Sequence, residues 1–277
     1  MRVSVIQMNP GHDKAKNIAA AARLTAAAIA ADRPDLLVLP EMWTCLGGDA
    51  AAKRAAAERL PGNGGSNDPG PAYTFLRDLA VTHRIVVHGG SMPEDAGEKL
   101  YNTTVVFSPE GEELARYRKI HLFDIVAPDG TGYRESAVFG RGEEVVTYPA
   151  NGSVVGCTIC YDLRFPELYL KLRRKGANVI AVPAAFTLQT GKDHWETLLR
   201  ARAIETQCWL LAAATWGRHE EQGSPRFTYG HSLVIDPWGH VVAKVSDGEG
   251  FATARIDHAL TERVRRDMPV MDHRVLA

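Results

Sequence analysis

The chain has 277 residues, 45% of them apolar and 23% charged, a balance typical of globular proteins and long enough to bury a core without staples. Its 32 Lys and Arg against 33 Asp and Glu leave a formal net charge of −1, so nothing global pulls it toward nucleic acid or an anionic membrane. The apolar run in the opening MRVSVIQMNP is too short for a secretory signal, and no later segment approaches about 18 unbroken apolar residues. The expectation is a soluble cytoplasmic protein whose four cysteines are free thiols.

Periodicity predicts a strand at 2–8 and then an Ala-rich helix over 17–33, stopped by Pro34. DLLVLP (35–40) is a wholly apolar strand of the kind buried on both faces. PGNGGSNDPGP (61–71) is a loop by composition, and Pro71 suits the first turn of a helix running to about 83. RIVVHGGS (84–91) is another buried strand. YNTTVVFSPEGEELARYRK reads as a hairpin turning at Pro109, Glu110 and Gly111. From 120 to 142 no period survives, which predicts a long loop.

EVVTYPANGSVVGCTIC (144–160) is a second hairpin, with Asn151-Gly152 as the strongest turn signal in the chain. A helix at about 165–175 ends at Gly176, and NVIAVPAA is the next strand. KDHWETLLRARAIETQC (192–208) predicts a helix with an apolar stripe of Leu198, Ala201, Ile204 and Cys208. WLLAAAT, GHSLVIDPWGHVVAKV and GFATARID supply the last strands, and a final helix covers about 258–266. Helices alternate with strands, but the hairpins exclude a purely parallel sheet, so the reading is α/β with mixed sheets and helices packed on them. Two such sheets facing each other are one way to bury so many two-sided strands. No linker divides the chain, and 1–277 reads as one domain.

Within GCTICYDLRFPE the pair Cys157 and Cys160 lacks the second ligand pair a structural zinc needs, since Cys45 and Cys208 are isolated. A redox pair needs C-x-x-C opening a helix, whereas Cys157 falls inside a strand. Cys157 is therefore core. Cys160, read as the last strand residue before a helix begun by Pro166, sits at a strand-to-helix elbow, where the positive helix end favours a thiolate. Glu41 follows LLVLP directly and Lys119 ends ELARYRK, so both also sit at strand ends. Taken singly, Glu41 is equally a solvated loop acid and Lys119 an ordinary surface lysine.

Three blocks in order, LVLPEMW with Glu41, RYRKIHLFD with Lys119 and GCTICYDLRFPEL with Cys160, resemble the nitrilase superfamily of carbon–nitrogen hydrolases. The similarity continues through PAAFTLQTGKDHWETLLRARAIETQC and YGHSLVIDPWGHVVAKV to MPVMDHR. The resemblance implies a four-layer α-β-β-α sandwich of two mixed sheets flanked by helices, homodimers or larger homo-oligomers paired through a helix-lined face, and neither metal nor organic cofactor. It implies Cys160 as nucleophile, Glu41 as general base, and Lys119 with the backbone N–H of Tyr161 as oxyanion donors. Glu135 in GYRESAVF matches the additional acid that orients the lysine and substrate.

Two branches compete for the substrate, a small-molecule amide. CYDLRFPEL, LLRARAIETQC and YGHSLVIDPWG resemble the amidases of deaminated glutathione, while RYRKIHLFDI is shared with the omega-amidases of α-ketoglutaramate and α-ketosuccinamate. Hydrolysis of deaminated glutathione would yield α-ketoglutarate and cysteinylglycine, a metabolite-repair reaction. Arg164, Tyr161, Phe186 and Thr187 are candidate wall residues for the carboxylate of either substrate, with a structural ion pair as the alternative for Arg164. True nitrilase chemistry, a papain-like pairing of Cys160 with His121, and a scaffold that has lost turnover are the competing readings.

Overall fold

The computed structural model describes residues 1–62, 69–127, 130–221 and 225–276. The first half of the chain forms β1 (Arg2–Gln7), α1 (Lys14–Asp32), β2 (Leu36–Val38), α2 (Ala50–Ala56), α3 (Pro71–His83), β3 (Val86–His88), β4 (Met92–Asp95), β5 (Leu100–Phe107) and β6 (Glu113–Arg118). Next come β7 (Asp124–Val126), β8 (Gly132–Arg134), β9 (Phe139–Gly140), β10 (Thr147–Ala150) and β11 (Ser153–Cys157). α4 (Pro166–Arg174), β12 (Val179–Ala181), the single turn α5 (Leu188–Thr190), α6 (Glu196–Thr206) and β13 (Trp209–Ala212) follow. β14 (Trp216–His219), β15 (Arg226–Tyr229), β16 (Leu233–Ile235), β17 (Val241–Lys244), β18 (Gly250–Arg255) and α7 (His258–Asp267) complete the order.

Local chemistry explains the boundaries. Asp13 caps α1 by accepting the Lys16 N–H, so the helix begins at Lys14, three residues before the predicted start, and Arg33 ends it in the left-handed region. Pro71 opens α3 as predicted. At Asn151 and Gly152 both φ angles are positive, as the tight hairpin between β10 and β11 requires.

One sheet runs β18-β1-β2-β3-β5-β4, with β6 and β9 also paired to β5; the other runs β10-β11-β12-β13-β16-β17. Alternation along β2 shows how they stack. Leu36 and Val38 share a cluster with Val155, Val179 and Leu210 of the second sheet. Leu37 and Leu39 face the opposite way, onto Leu24 of α1 and Leu76 of α3. Leu172 of α4 and Leu199 of α6 cover the far side of the second sheet. The result is the four-layer α-β-β-α sandwich. Among the described residues no helix is long and apolar enough to cross a membrane.

Several expectations need correction. The region 120–142 is not one long loop: it holds the β7–β8 hairpin, a 3-10 turn at Glu135–Ala137 and β9. These pieces are too short for periodicity to register. α2 and β4 were not foreseen, although Asp49 capping an Ala-rich stretch was a readable signal. The α6 stripe is also different: Leu199, Arg202, Ala203 and Thr206 are buried, while Ile204 is 49% exposed. Arg202 takes the inward place because its Nε donates to the Leu163 carbonyl (3.0 Å) and its guanidinium stands over Tyr169. Residues 63–68 of the predicted 61–71 loop lie outside the described residues.

Candidate active site

Segments far apart in the chain converge beyond the ends of β2, β6 and β11. Glu41 is carried on a turn threaded against Gly89-Gly90. Ser91 N–H donates to the Pro40 carbonyl (3.1 Å), Met42 N–H to Ser91 Oγ (3.1 Å) and Trp43 Nε1 to the Gly89 carbonyl (2.7 Å). Gly90 has φ +60°, and a Cβ there would run into the Leu39 and Pro40 carbonyls. Lys119 follows β6 directly, its N–H donating to the Asn102 carbonyl (2.9 Å). Glu135 opens the 3-10 turn after β8 and accepts the Phe123 N–H at 2.7 Å.

Cys160 is not the last strand residue. β11 stops at Cys157, and Cys160 begins a separate 3-10 turn, Cys160–Arg164, with φ +48°. That left-handed backbone is costly for a non-glycine residue and is held from both sides. Its N–H donates to the Pro183 carbonyl (2.8 Å). The fully buried Asp162 carboxylate accepts from Ile159 N (2.8 Å), Tyr117 Oη (2.6 Å) and His121 N (3.0 Å), and pairs with His121 Nδ1 (2.7 Å). One carboxylate thus ties the turn bearing Cys160 to the segment bearing Lys119.

Lys119 Nζ lies 2.9 Å from Glu41 Oε1 and 2.8 Å from Glu135 Oε2. Asn102 Nδ2 donates to both acids, at 2.9 Å to Glu41 and 3.1 Å to Glu135. Cys160 lines the same cavity as Glu41, Lys119, Glu135 and Ala185. Glu41, Lys119 and Cys160 are 4%, 2% and 7% exposed, so water screens these charges little.

Burial alone would pull the Lys119 ammonium down, but the adjacent Glu135 and Glu41 carboxylates hold it well above the usual lysine range. Cys160 is pushed well above the usual thiol range, first by burial and then by the Glu41 charge, with Lys119 opposing. The helix-end thiolate expected from the sequence is therefore corrected: α4 starts only at Pro166, and the resting sulfur keeps its proton beside a carboxylate.

These groups open into a cavity of about 230 Å³ whose lining includes Arg164, Phe186, Thr187 and Arg226. Tyr161 is not part of the lining; its ring packs against Phe123 and Phe165. Among the described residues Arg164 pairs with no carboxylate, and its guanidinium stands over Phe186 and beside His194 Nδ1 (3.3 Å). His121 stacks on Phe165 at 3.7 Å, bound to Asp162 and outside the cavity lining. Among the described residues no cluster of His, Cys, Asp and Glu could hold a metal ion. Asn102, Asp162 and Arg226 were missed by sequence reading. For Asn102 the available signal was a polar residue inside an apolar strand.

A family model described as carbon–nitrogen hydrolase matches residues 2–266. A deaminated glutathione amidase of Synechocystis sp. (strain PCC 6803 / GT-S) is 46% identical over 206 residues, covering 73% of this chain and 75% of its own. One from Bos taurus is 40% identical over 279 residues, covering 98% and 81%. The crystal structure of Saccharomyces cerevisiae Nit3, described as a member of branch 10 of the nitrilase superfamily, superposes with a TM-score of 0.87 at 31% identity, covering 100% of this chain and 97% of that one.

Proposed function

The chain belongs to the carbon–nitrogen hydrolase family, acting on non-peptide carbon–nitrogen bonds, and from that premise we propose a cysteine amidase that cleaves deaminated glutathione to α-ketoglutarate and cysteinylglycine. The observation that carries the chemistry is that Lys119 bridges Glu41 and Glu135 in the buried cavity that Cys160 also lines. Glu41 takes the thiol proton as sulfur bonds to the amide carbon. The charge on oxygen is met by Lys119 and the Tyr161 backbone N–H. Collapse breaks the C–N bond as Glu41 returns the proton to nitrogen, and the amine leaves. Water, giving its proton to Glu41, then attacks the thioester, releasing the acid and restoring the thiol. Glu135 and Asn102 keep the lysine and the base aligned.

The substrate rests on relatives described as deaminated glutathione amidases at 40–46% identity. The reading further includes a single domain over 1–277 and a homodimer or higher homo-oligomer. The exposed Ile204 and Trp238, adjacent through Gly239, support pairing. Four buried free cysteines suit a reducing cytoplasm.

The test compares kcat/KM on deaminated glutathione, α-ketoglutaramate, a simple aliphatic amide and a nitrile. Deaminated glutathione should lead by about 100-fold or more, and a lead for α-ketoglutaramate replaces the substrate reading. Cys160→Ala should be folded and inactive; activity equal to wild type removes the mechanism. Sedimentation should show a species heavier than the 30.2 kDa chain.

A further inference from the structure

A second cavity, of about 380 Å³, adjoins the one containing Cys160. The two share Tyr133, Thr187, Thr190, Glu221 and Arg226 as a common wall. A leaving group the size of ammonia, close to the roughly 30 Å³ of a water molecule, would fill little of this second volume. An amide with a large amine half needs room on both sides of the scissile bond.

Arg226 is the pivot of the shared wall. Its Nη2 donates to the Ala185 carbonyl (2.9 Å), and Ala185 lines the first cavity together with Cys160. Nη1 is 4.0 Å from Glu221, and the guanidinium stands 5.4 Å from the Tyr133 ring centroid. Nε is buried and without a hydrogen-bond partner among the described residues. A cationic N–H buried in a cavity wall without an acceptor is a donor that a ligand can satisfy. Further into the second cavity lies Lys192, on the turn Gly191–Trp195, with no ion pair among the described residues. Asp193 and Glu221 also line it, so the walls offer acceptors for N–H groups as well as cations for one negative charge.

We propose that the second cavity is the leaving-group subsite. It takes the amine half of the amide, a short peptide-like segment ending in a carboxylate, with Arg226 and Lys192 as cationic anchors and the acidic wall receiving its N–H groups. The proposal deepens the amidase reading above and rests on it for the position of the scissile bond. It makes leaving-group selection a property of α5, the turn after it and β15, separate from acyl recognition beside Cys160.

The test uses two substrate pairs, each comparing a free C-terminal carboxylate with its carboxamide: deaminated glutathione, and N-butanoyl-cysteinylglycine. Wild-type enzyme should favour the carboxylate by about tenfold or more in kcat/KM, and Arg226→Gln and Lys192→Gln should each bring that ratio toward one. Discrimination in the butanoyl pair without turnover of deaminated glutathione removes the keto-acid reading and keeps the subsite. No discrimination in either pair, no turnover of any of the four compounds, or a ratio preserved in both variants overturns it. Because the readout is a ratio within one protein, a general loss of activity in Arg226→Gln leaves the comparison valid, and Lys192→Gln repeats it at an exposed position.

Discussion

In the proposed mechanism Glu41 carries two roles that act on Cys160 in opposite senses. As an acceptor it can remove the thiol proton; as a fixed negative charge it raises the cost of the thiolate, second only to burial. Glu41→Gln separates these roles while Lys119 keeps Glu135 as its partner. Turnover should fall by about 100- to 10,000-fold, while the pH midpoint of Cys160 alkylation, followed by mass spectrometry, should move down. An upward shift or unaltered turnover would show that Glu41 does not face the sulfur as a charged base. Glu41, Lys119 and Cys160 stood out through the three blocks LVLPEMW, RYRKIHLFD and GCTICYDLRFPEL, since taken singly each had an ordinary structural reading. Asn102, which bridges the acids, showed only as a polar residue inside the strand YNTTVVF, with nothing in the sequence to tie it to Glu41 or Glu135.

Among elements, the short turn Cys160–Arg164 is the most constrained, because the Asp162 carboxylate binds its entry and the Lys119 segment together. Bonds to a buried charge contribute about 1.5–3 kcal/mol each. Asp162→Asn retains the shape but cannot accept from all these donors. The expected result is a kcat lower by about tenfold or more with KM changed by less than about threefold, together with a lower melting temperature. A rise in KM at constant kcat would place Asp162 in binding instead of positioning. The β7–β8 hairpin was illegible for a different reason: three-residue strands carry too little periodicity, yet they bring Glu135 to the lysine. On α6, apolar residues marked the wrong face because Arg202 buries its stem and satisfies its charge at a backbone carbonyl.

At the scale of the molecule, facing two sheets against each other buries polar groups that strand patterning does not reveal. His88 of β3 is fully buried between the sheets, its ring 6.0 Å from that of Tyr148, and neither ring nitrogen has a partner among the described residues. Burial pushes its pKa down to about 3. The unfolded chain, with a histidine pKa of about 6.5, therefore binds the extra proton between about pH 6.5 and 3, so stability falls as pH drops through that window. His88→Phe removes this linkage. Between pH 7 and 4.5 the wild type should lose about 3 kcal/mol more than the variant, measured by denaturant unfolding at each pH. Parallel stability curves would mean that His88 is hydrated or paired.

By itself the sequence determined the α/β class, the main hairpins, and the three blocks that carry Glu41, Lys119 and Cys160, because propensity, turn chemistry and apolar runs are local and leave a pattern in consecutive residues. Tertiary structure alone decided that Glu41, Lys119, Glu135 and Cys160 share one pocket, that burial and the Glu41 charge push the thiol's pKa up, and that a second cavity opens behind Arg226. Those outcomes depend on distance and dielectric between segments dozens of residues apart, and neither quantity exists until the two sheets close over their core.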